Sequence, residues 1–267
     1  LPGVNVGLVV DEARVTSVKT RFVAGMQQLL RTDIDDHQPV TADRRQALIE
    51  HTVSALPDAD VLVLSDYAKG VLDHEVLVAV IKAANDAGVP VVADPKGTDF
   101  ARYRGAGILT PNRAELQAAS SLPVGDDAEA AAAAAMILST CGIDAVLATR
   151  GPQGMTLMAG DADPLHIQTE AREVYDVSGA GDTVVAALAV GLATGADLAL
   201  AARFANQAAG VVVGKVGTAV AWPNDIVAAL HSGNLHDVEG KISALAGARD
   251  ILEGWQRGGN RVVFTNG

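Results

Sequence analysis

The chain alternates between short uninterrupted apolar runs and longer segments in which apolar residues recur three and four positions apart. The first pattern predicts buried strands, and the second predicts amphipathic helices. The predicted strands are 61–64, 89–93, 108–110, 145–149, 155–159 and 165–169. The predicted helices begin near 41, 73, 113 and 127 and continue over 180–194 and 197–213. This alternation predicts an α/β fold with a mainly parallel sheet that is covered on both faces.

The two ends of the chain depart from this alternation. Residues 4–34 are predicted to be extended, with few helical signals. The segment 233–248 has few large apolar side chains and is predicted to be a linker or a weak helix, before a last helix and an apolar run at 262–264. Because the chain begins with Leu1 rather than Met and stops soon after that run, we expect it to be a fragment of a longer protein.

The composition restricts the classes of function. Hydrophobic residues make up 49% of the 267 residues and charged residues 19%, a balance that is typical of a folded domain. The formal net charge of −12 excludes a general electrostatic surface for nucleic acid or anionic lipid. The longest apolar runs are too short to span a bilayer. A single cysteine, Cys141, excludes intrachain disulfides and predicts a reducing, cytoplasmic location.

Polar residues follow each of four successive predicted strands. The segments concerned are 65–70, 94–97, 110–115 and 149–151. Ligands of parallel sheets bind at the carboxyl ends of the strands, so these segments are candidates for one site. Loop polarity and helix capping alone explain any one of the four segments well, and all four less well. Lys69 and Lys96 could pair with a phosphate or be ordinary solvated lysines, and both interpretations carry equal weight.

The most informative segment is Asp-Val-Ser-Gly-Ala-Gly-Asp-Thr at 176–183, which precedes a long apolar helix. Its small residues, Gly179, Ala180 and Gly181, let the backbone approach a ligand, and a helix that begins there directs amides at an anion. Asp182 lies in the first turn, where a carboxylate can accept the proton of an attacking hydroxyl. For an isolated motif, a tight turn with a favourable helix dipole explains the same residues equally well. The P-loop and G-x-G-x-x-G motifs are absent.

Residues 176–187 resemble the C-terminal signature of the ribokinase-like, or PfkB, sugar kinases. Within that family the chain is most similar to the D-glycero-β-D-manno-heptose-7-phosphate kinases, whose kinase domain is joined to an adenylyltransferase domain. The resemblance extends over about 15–223. The further runs that carry it are QQLLR at 27–31, LSDYAKG at 64–70, DPKGTDF at 94–100, RYRG at 102–105, LTPN at 109–112, EVYD at 173–176 and AAGVVVGKVG at 208–217.

This resemblance implies a three-layer ribokinase-like fold and a reaction. ATP would phosphorylate the C1 hydroxyl of heptose 7-phosphate to give the 1,7-bisphosphate, a step toward the ADP-heptose of lipopolysaccharide. Asp182 would be the catalytic base, and Gly179, Ala180 and Gly181 would form the anion hole. There are two alternatives to this reaction. The chain could be another PfkB-type sugar kinase, or a fragment that binds nucleotide without turnover.

The resemblance also implies ligands for the nucleotide and for ions. The residues that would contact ATP are Asn112, Arg113, Ala114, Glu115, Thr149, Gly151 and Asn206. Glu115 would order Mg²⁺ through water, and Asp176 would contribute to a monovalent-cation site such as one for K⁺. Lys69, Asp94 and Lys96 would lie near the cleft, toward substrate or phosphate. The expected partners are a sugar phosphate and ATP, with a homodimer allowed and neither nucleic acid nor membrane expected.

The chain departs from the family pattern at both ends. No Gly-Gly-Ala-x-Asn sugar-binding segment precedes Val15, so the N-terminal part of the fold and the lid are expected to be incomplete. Residues 261–267 resemble the first strand of the adenylyltransferase domain, but no H-x-G-H motif is present and adenylyltransferase activity is not expected. The expected domains are a kinase domain over 1–232 and the start of the second domain over 233–267.

Overall fold

A computed structural model describes residues 3–24, 27–169, 177–215 and 219–234. The chain divides into two compact units, Leu1–Val220 and Ala221–Gly267. The first unit contains a two-stranded hairpin, a six-stranded sheet and the helices that cover this sheet. In the second unit, the described part is mainly one helix.

The elements are numbered in chain order. The strands are β1 (Val18–Ala24), β2 (Gln27–Ile34), β3 (Leu62–Ser65), β4 (Val91–Asp94), β5 (Ile108–Leu109), β6 (Ala145–Thr149), β7 (Met155–Ala159) and β8 (Leu165–Ile167). The helices are α1 (Ala42–Ala55), α2 (His74–Ala87), α3 (Arg113–Ser120), α4 (Asp127–Cys141), α5 (Ala180–Ala193), α6 (Leu198–Val213) and α7 (Pro223–Asn234). The predicted strands and helices of the sheet region are confirmed within one to three residues, and α7 is an addition.

The central sheet has the strand order β3-β4-β5-β6-β7-β8. The first four strands are parallel, and β7 and β8 continue the sheet in antiparallel pairing. The predicted mainly parallel sheet is therefore confirmed. The prediction that 61–64 forms a buried strand is wrong for Val63, which is 38% exposed, because β3 lies at the edge of the described sheet.

Alternating side chains of the sheet face two different layers, as the pleat of a strand requires. Val91 and Ala93 of β4 belong to the same buried cluster as the inner faces of α2 and α4. Val92 between them is buried and points to the opposite face, where α5 and α6 contact the sheet. The three-layer arrangement predicted from the sequence follows from this alternation.

Short-range signals in the sequence determine where the helices begin and end. The Asp73 carboxylate accepts the Val76 amide at 2.9 Å and caps α2, which ends at Gly88 in the left-handed region. Asp126 caps α4 in the same way, and α4 ends at Gly142, also left-handed. None of the helices among the described residues combines the length and the apolar character that crossing a membrane would need.

Some predictions fall on residues that the structure does not describe. Asp176, proposed for a monovalent-cation site, is one of these, as is the run at 173–176 that supports the family resemblance. The linker, helix and strand expected after 234 also lie outside the described residues. The boundary expected at 232 and 233 stays a prediction.

Candidate active site

The carboxyl ends of β3 to β6 meet at one edge of the sheet, as parallel pairing requires. The loops that follow these strands are joined by backbone hydrogen bonds. The Thr149 amide donates to the Pro111 carbonyl at 2.9 Å, and the Asp66 amide donates to the Asp94 carbonyl at 3.1 Å. The four segments that the sequence predicted as candidates are thus neighbours.

Helix α5 begins beside this edge. Gly179 is its N-cap, with φ of 80° and ψ of 1°, a left-handed conformation that favours glycine. The Ala180 amide donates to the Val177 carbonyl at 3.2 Å, whereas the amides of Gly181 and Asp182 have no partner within the described parts of the chain. Of the predicted anion-hole residues, Gly181 therefore offers a free donor and Ala180 does not.

Space for a ligand lies directly over this helix end. A Cβ atom built on Gly181 would meet no atom within 4 Å, so the space beside this residue is open. A free amide, an adjacent Asp182 amide and the positive end of the helix dipole together favour binding of an anion there. The geometry is that of an open anion site at the first turn of α5.

Five side chains from four elements form what we call the polar cluster: Tyr67, Asp94, Lys96, Glu115 and Asp182. The Tyr67 hydroxyl donates to Asp182 Oδ1 at 3.4 Å. Burial raises the pKa of Asp94 to about 6, and the negative charges of Glu115 and Asp182 add to this effect. Three carboxylates thus lie close enough to influence one another.

Lys96 and Glu115 are held together within the polar cluster. The Lys96 ammonium donates to Glu115 Oε1 at 2.5 Å, and this contact raises the pKa of Lys96; Asp94 and Tyr67 raise it further. Glu115 also accepts the Asn112 amide at 3.0 Å, while the Asn112 side chain accepts the Glu115 amide at 3.0 Å. This reciprocal capping box fixes both side chains at the start of α3.

Beside the polar cluster is a largely apolar cavity of about 220 Å³, which we call the apolar pocket. Five predicted residues line it: Thr149, Gly151, Ala180, Gly181 and Asn206. Asn206 is buried, and its amide nitrogen donates to the Gln168 carbonyl at 2.8 Å. The structure thus brings predicted nucleotide and anion-hole residues from three separate segments into one cavity. The remaining lining residues are Pro152, Gly154, Met155, Thr169, Val177, Val184, Ala209, Gly210 and Val213.

Sequence reasoning missed most of the α6 face of the apolar pocket. Asn206, Ala209, Gly210 and Val213 all line it, and they recur at intervals of three and four residues along one helix. That spacing is the signal of a helix face turned to a common surface, and it was available in the sequence. Alanine and glycine on this face leave room for a ligand.

Of the predicted residues, Arg113, Ala114 and Lys69 belong neither to the apolar pocket nor to the polar cluster. Arg113 is exposed on α3, and Ala114 lines a different surface groove together with Gln117. Lys69 forms an ion pair with Asp35, and its ammonium also donates to the Ser17 hydroxyl at 2.7 Å. Lys69 therefore connects the loop after β3 to the segments that flank the hairpin.

A second cavity, of about 500 Å³, opens on the other side of Tyr67. Its polar lining comes from the N-terminal segment and from the loop after β3, and it includes the side chains of two lysines and one arginine. The lining residues are Arg14, Val15, Ser17, Lys19, Asp36, Ser65, Asp66, Tyr67, Lys69, Val71 and Leu72. We call this cavity the hairpin-side cavity.

The donors at the sheet edge fit Mg²⁺ in a restricted way. No group of three or more metal-ligating side chains among the described residues is arranged to enclose an ion. Asp94 and Glu115 nevertheless offer neighbouring carboxylates, and burial, followed by the charges of Glu115 and Asp182, raises the pKa of Asp94 to about 6. Mg²⁺ is commonly bound by one or two carboxylates together with water and phosphate oxygens, and this donor set fits that mode.

Comparison with protein families identifies the family of this chain. The model of the pfkB family carbohydrate kinases matches residues 2–225, which is most of the chain. The chain belongs to this family. The PfkB resemblance stated from the sequence is thereby confirmed, and the apolar pocket and the polar cluster lie within the matched residues.

Relatives of known name are similar over nearly the whole chain. The Bifunctional protein HldE of Rhodospirillum rubrum is 51% identical over 254 residues, which is 95% of this chain and 51% of that protein. The Bifunctional protein HldE of Paramagnetospirillum magneticum is 49% identical over 260 residues, which is 97% of this chain and 53% of that protein. The chain thus spans about half the length of the curated relatives it matches.

Solved structures share the fold. Arabidopsis thaliana ribokinase complexed with ribose and ATP gives a TM-score of 0.60 at 24% identity, over 75% of this chain and 65% of that chain. Escherichia coli phosphofructokinase-2 in complex with potassium gives a TM-score of 0.65 at 21% identity, over 74% of this chain and 65% of that chain. The predicted ribokinase-like fold is therefore confirmed.

Proposed function

We propose that this chain transfers the γ-phosphoryl group of ATP to the C1 hydroxyl of D-glycero-β-D-manno-heptose 7-phosphate. The observation that carries the proposal is the start of α5. There the Asp182 carboxylate lies in the same helical turn as two amides that have no partner among the described residues, between the apolar pocket and Tyr67. A base and an anion site in one turn suit phosphoryl transfer to a hydroxyl.

In this mechanism Asp182 accepts the proton of the C1 hydroxyl. The C1 oxygen forms a bond to the γ-phosphorus, and the bond between that phosphorus and the oxygen that bridges to the β-phosphate breaks, so ADP leaves with the electron pair. The amides of Gly181 and Asp182 donate to the oxygens of the transferred group, where negative charge is concentrated. The products are the 1,7-bisphosphate and ADP.

Asp94 and Glu115 are the residues that would hold Mg²⁺, Glu115 through water. The ion supplies positive charge beside the phosphates when it is bound. Lys96 adds a fixed positive charge next to Glu115. Asp176, which lies outside the described residues, stays a proposal for a monovalent cation such as K⁺.

The apolar pocket is the proposed site of the adenine and ribose. Its α6 face carries small residues that leave room for a flat ring, and Asn206 provides a polar group within an otherwise apolar lining. Thr149 and Gly151 approach it from the end of β6. An apolar cavity with a few polar groups is the usual form of a small-molecule site.

The heptose phosphate as acceptor rests on the sequence runs that resemble the heptose-7-phosphate kinases. Two of these runs, 64–70 and 94–100, supply Tyr67, Asp94 and Lys96 to the polar cluster. The hairpin-side cavity, which Arg14 and Lys19 help to line, is the proposed place for the rest of the charged sugar. A cytoplasmic location and a homodimer are further parts of the proposal, and light scattering tests the second.

Asp182→Asn tests the base. The substitution keeps the size of the side chain and removes its basicity, so we expect kcat to fall by about 10²–10⁴-fold while ATP affinity by calorimetry stays nearly unchanged. The acceptor is tested with heptose 7-phosphate against ribose, fructose 6-phosphate and adenosine. Unchanged kcat in Asp182→Asn contradicts the assigned base. Faster phosphorylation of another sugar contradicts heptose 7-phosphate as the acceptor. ATP binding without transfer to any acceptor contradicts the proposed activity.

A further inference from the structure

The loop after β3 is held in a strained conformation by a buried carboxylate. Asp66 is buried, and its Oδ1 accepts the Ala68 amide at 2.7 Å. Ala68 has φ of 52°, in the left-handed region that costs an alanine about 1–2 kcal/mol. Tyr67 lies between these two residues, so the backbone that carries it is fixed on both sides.

A buried tyrosine connects this loop to the next one. The Tyr103 hydroxyl donates to Asp66 Oδ2 at 2.6 Å and accepts the Lys96 amide at 3.1 Å. Tyr103 is fully buried, and burial followed by its hydrogen bond to Asp66 raises its pKa well above the ordinary value. The loops that carry Tyr67 and Lys96 are therefore held at a fixed distance from each other.

The contact that results joins two loops to the start of α5. Tyr67 Oη donates to Asp182 Oδ1 at 3.4 Å, across 115 positions of the sequence. The side chain of Tyr67 is 57% exposed, so its ring contributes little to the core. The hydroxyl is the part of Tyr67 that contacts Asp182. In the described parts of the chain, Asp182 Oδ2 has no hydrogen-bond partner.

We infer that Tyr67 is a positioning residue for the catalytic base, an inference that rests on the proposed function. Its hydroxyl holds Oδ1 and stops the carboxylate from rotating, which leaves Oδ2 directed to the acceptor hydroxyl. The Asp66–Tyr103 contact fixes the backbone from which Tyr67 reaches.

Tyr67→Phe removes the hydroxyl and keeps the ring. We expect kcat to fall about tenfold, the order of one hydrogen bond to a charged group, with little change in KM for either substrate. A loss of fold would change KM and the thermal midpoint as well. A wild-type kcat in Tyr67→Phe, beside a reduced kcat in Asp182→Asn, overturns the inference and leaves the proposed function intact.

A double-mutant cycle separates action through Asp182 from any independent role. In the Asp182→Asn background the carboxylate that Tyr67 orients is no longer a base, so Tyr67→Phe should cause almost no further loss. If the second substitution again lowers kcat by about tenfold, Tyr67 acts independently of Asp182 and the inference is wrong. A merely structural role would give this additive result.

A spectroscopic measurement tests the contact without activity. In protein labelled at tyrosine Cζ with ¹³C, the Tyr67 resonance is the one missing from Tyr67→Phe. It should move in Asp182→Ala, which removes the acceptor, and stay nearly in place in Asp94→Asn, which removes a neighbouring charge and keeps the acceptor. Equal shifts in both variants contradict the contact. If the wild type phosphorylates no sugar, the proposed function fails, and this measurement then decides only whether Tyr67 contacts Asp182.

Discussion

The polar cluster and the apolar pocket meet at the first turn of α5, and different forces hold them in shape. In the polar cluster, hydrogen bonds and charges connect the loops, as between Lys96 and Glu115. In the apolar pocket, backbone conformation and close backbone approach define a wall, because Gly154 has φ of 79° and lies against the Ile167 carbonyl. The pocket should therefore respond to added volume, and the polar cluster to lost hydrogen bonds and to pH.

Gly154→Ala should give the largest effect on stability and tests the pocket. Gly154 has φ of 79°, and a Cβ there would overlap the carbonyl oxygen of Ile167 in the neighbouring strand. Because backbone must move, we expect the free energy of unfolding to fall by more than about 3 kcal/mol. Urea denaturation followed by circular dichroism measures this.

Gly151→Ala is the matched control in the same loop. Gly151 has φ of 61°, also left-handed, but a Cβ there would meet nothing within 4 Å. Its cost should be only the conformational one, about 1–2 kcal/mol. Similar losses in both variants would show that packing against Ile167 does not define this wall.

Tyr103→Phe removes the central hydroxyl between the two loops of the polar cluster. The Asp66 carboxylate loses a partner in a buried position and the Lys96 amide loses one in a half-buried position, so we expect a loss of about 1–3 kcal/mol in the free energy of unfolding. The ring and its edge-to-face contact with Phe100 remain. Thermal denaturation measures the change. A loss within experimental error would mean that the surrounding structure replaces both hydrogen bonds.

Asp94→Asn tests the accumulated charge through its pH dependence. The pKa of Asp94 is raised from 3.8 to about 6 by burial and by Glu115 and Asp182, so between these values the folded chain binds more protons than the unfolded chain. The free energy of unfolding therefore falls as pH rises through this window. At about pH 8 the ionised Asp94 costs about 1–2 kcal/mol after solvent screening.

The expected result of Asp94→Asn is thus a gain of that size at about pH 8 and almost none at about pH 4. Asparagine keeps an acceptor for the Thr110 hydroxyl, which lies 3.4 Å from Asp94 Oδ1. Asp161→Asn is the control for the same chemical change at an exposed carboxylate in a turn. A gain that is equal at both pH values would contradict a raised pKa.

Much of the fold was predictable because its signals are local. Asp73 before α2 and Gly88 after it, like the apolar run of β6, act within a few residues. The place of β3 at the edge of the described sheet was not predictable, since an apolar run has the same appearance at the edge and in the centre of a sheet. Strand order depends on contacts between distant residues, and one sequence does not reveal these.

The candidate site shows the same division. The motif at 176–183 predicted a helix start with Gly179 and Asp182 in their observed places. The partner of Asp182 could not be predicted, because Tyr67 is 115 positions away and becomes a neighbour only when β3 and α5 pack together. Asp66 and Tyr103 were missed for the same reason, although both stand in runs with family resemblance.

Lys96→Gln should give the smallest change in stability. It measures how much the charge of Lys96 stabilises the polar cluster. The Lys96 side chain is 49% exposed and that of Glu115 14%, so water screens the ion pair, and we expect a loss of less than about 1 kcal/mol in the free energy of unfolding. Glu115 keeps its bond to the Asn112 amide, so α3 stays capped. The small loss should shrink further in about 1 M salt, because salt screens exposed charges.

The matched control is Lys82→Gln, whose pair with Asp86 is more exposed and should contribute even less. A loss above about 2 kcal/mol that salt does not reduce would show that Lys96 holds the loops as Tyr103 does, by buried hydrogen bonds.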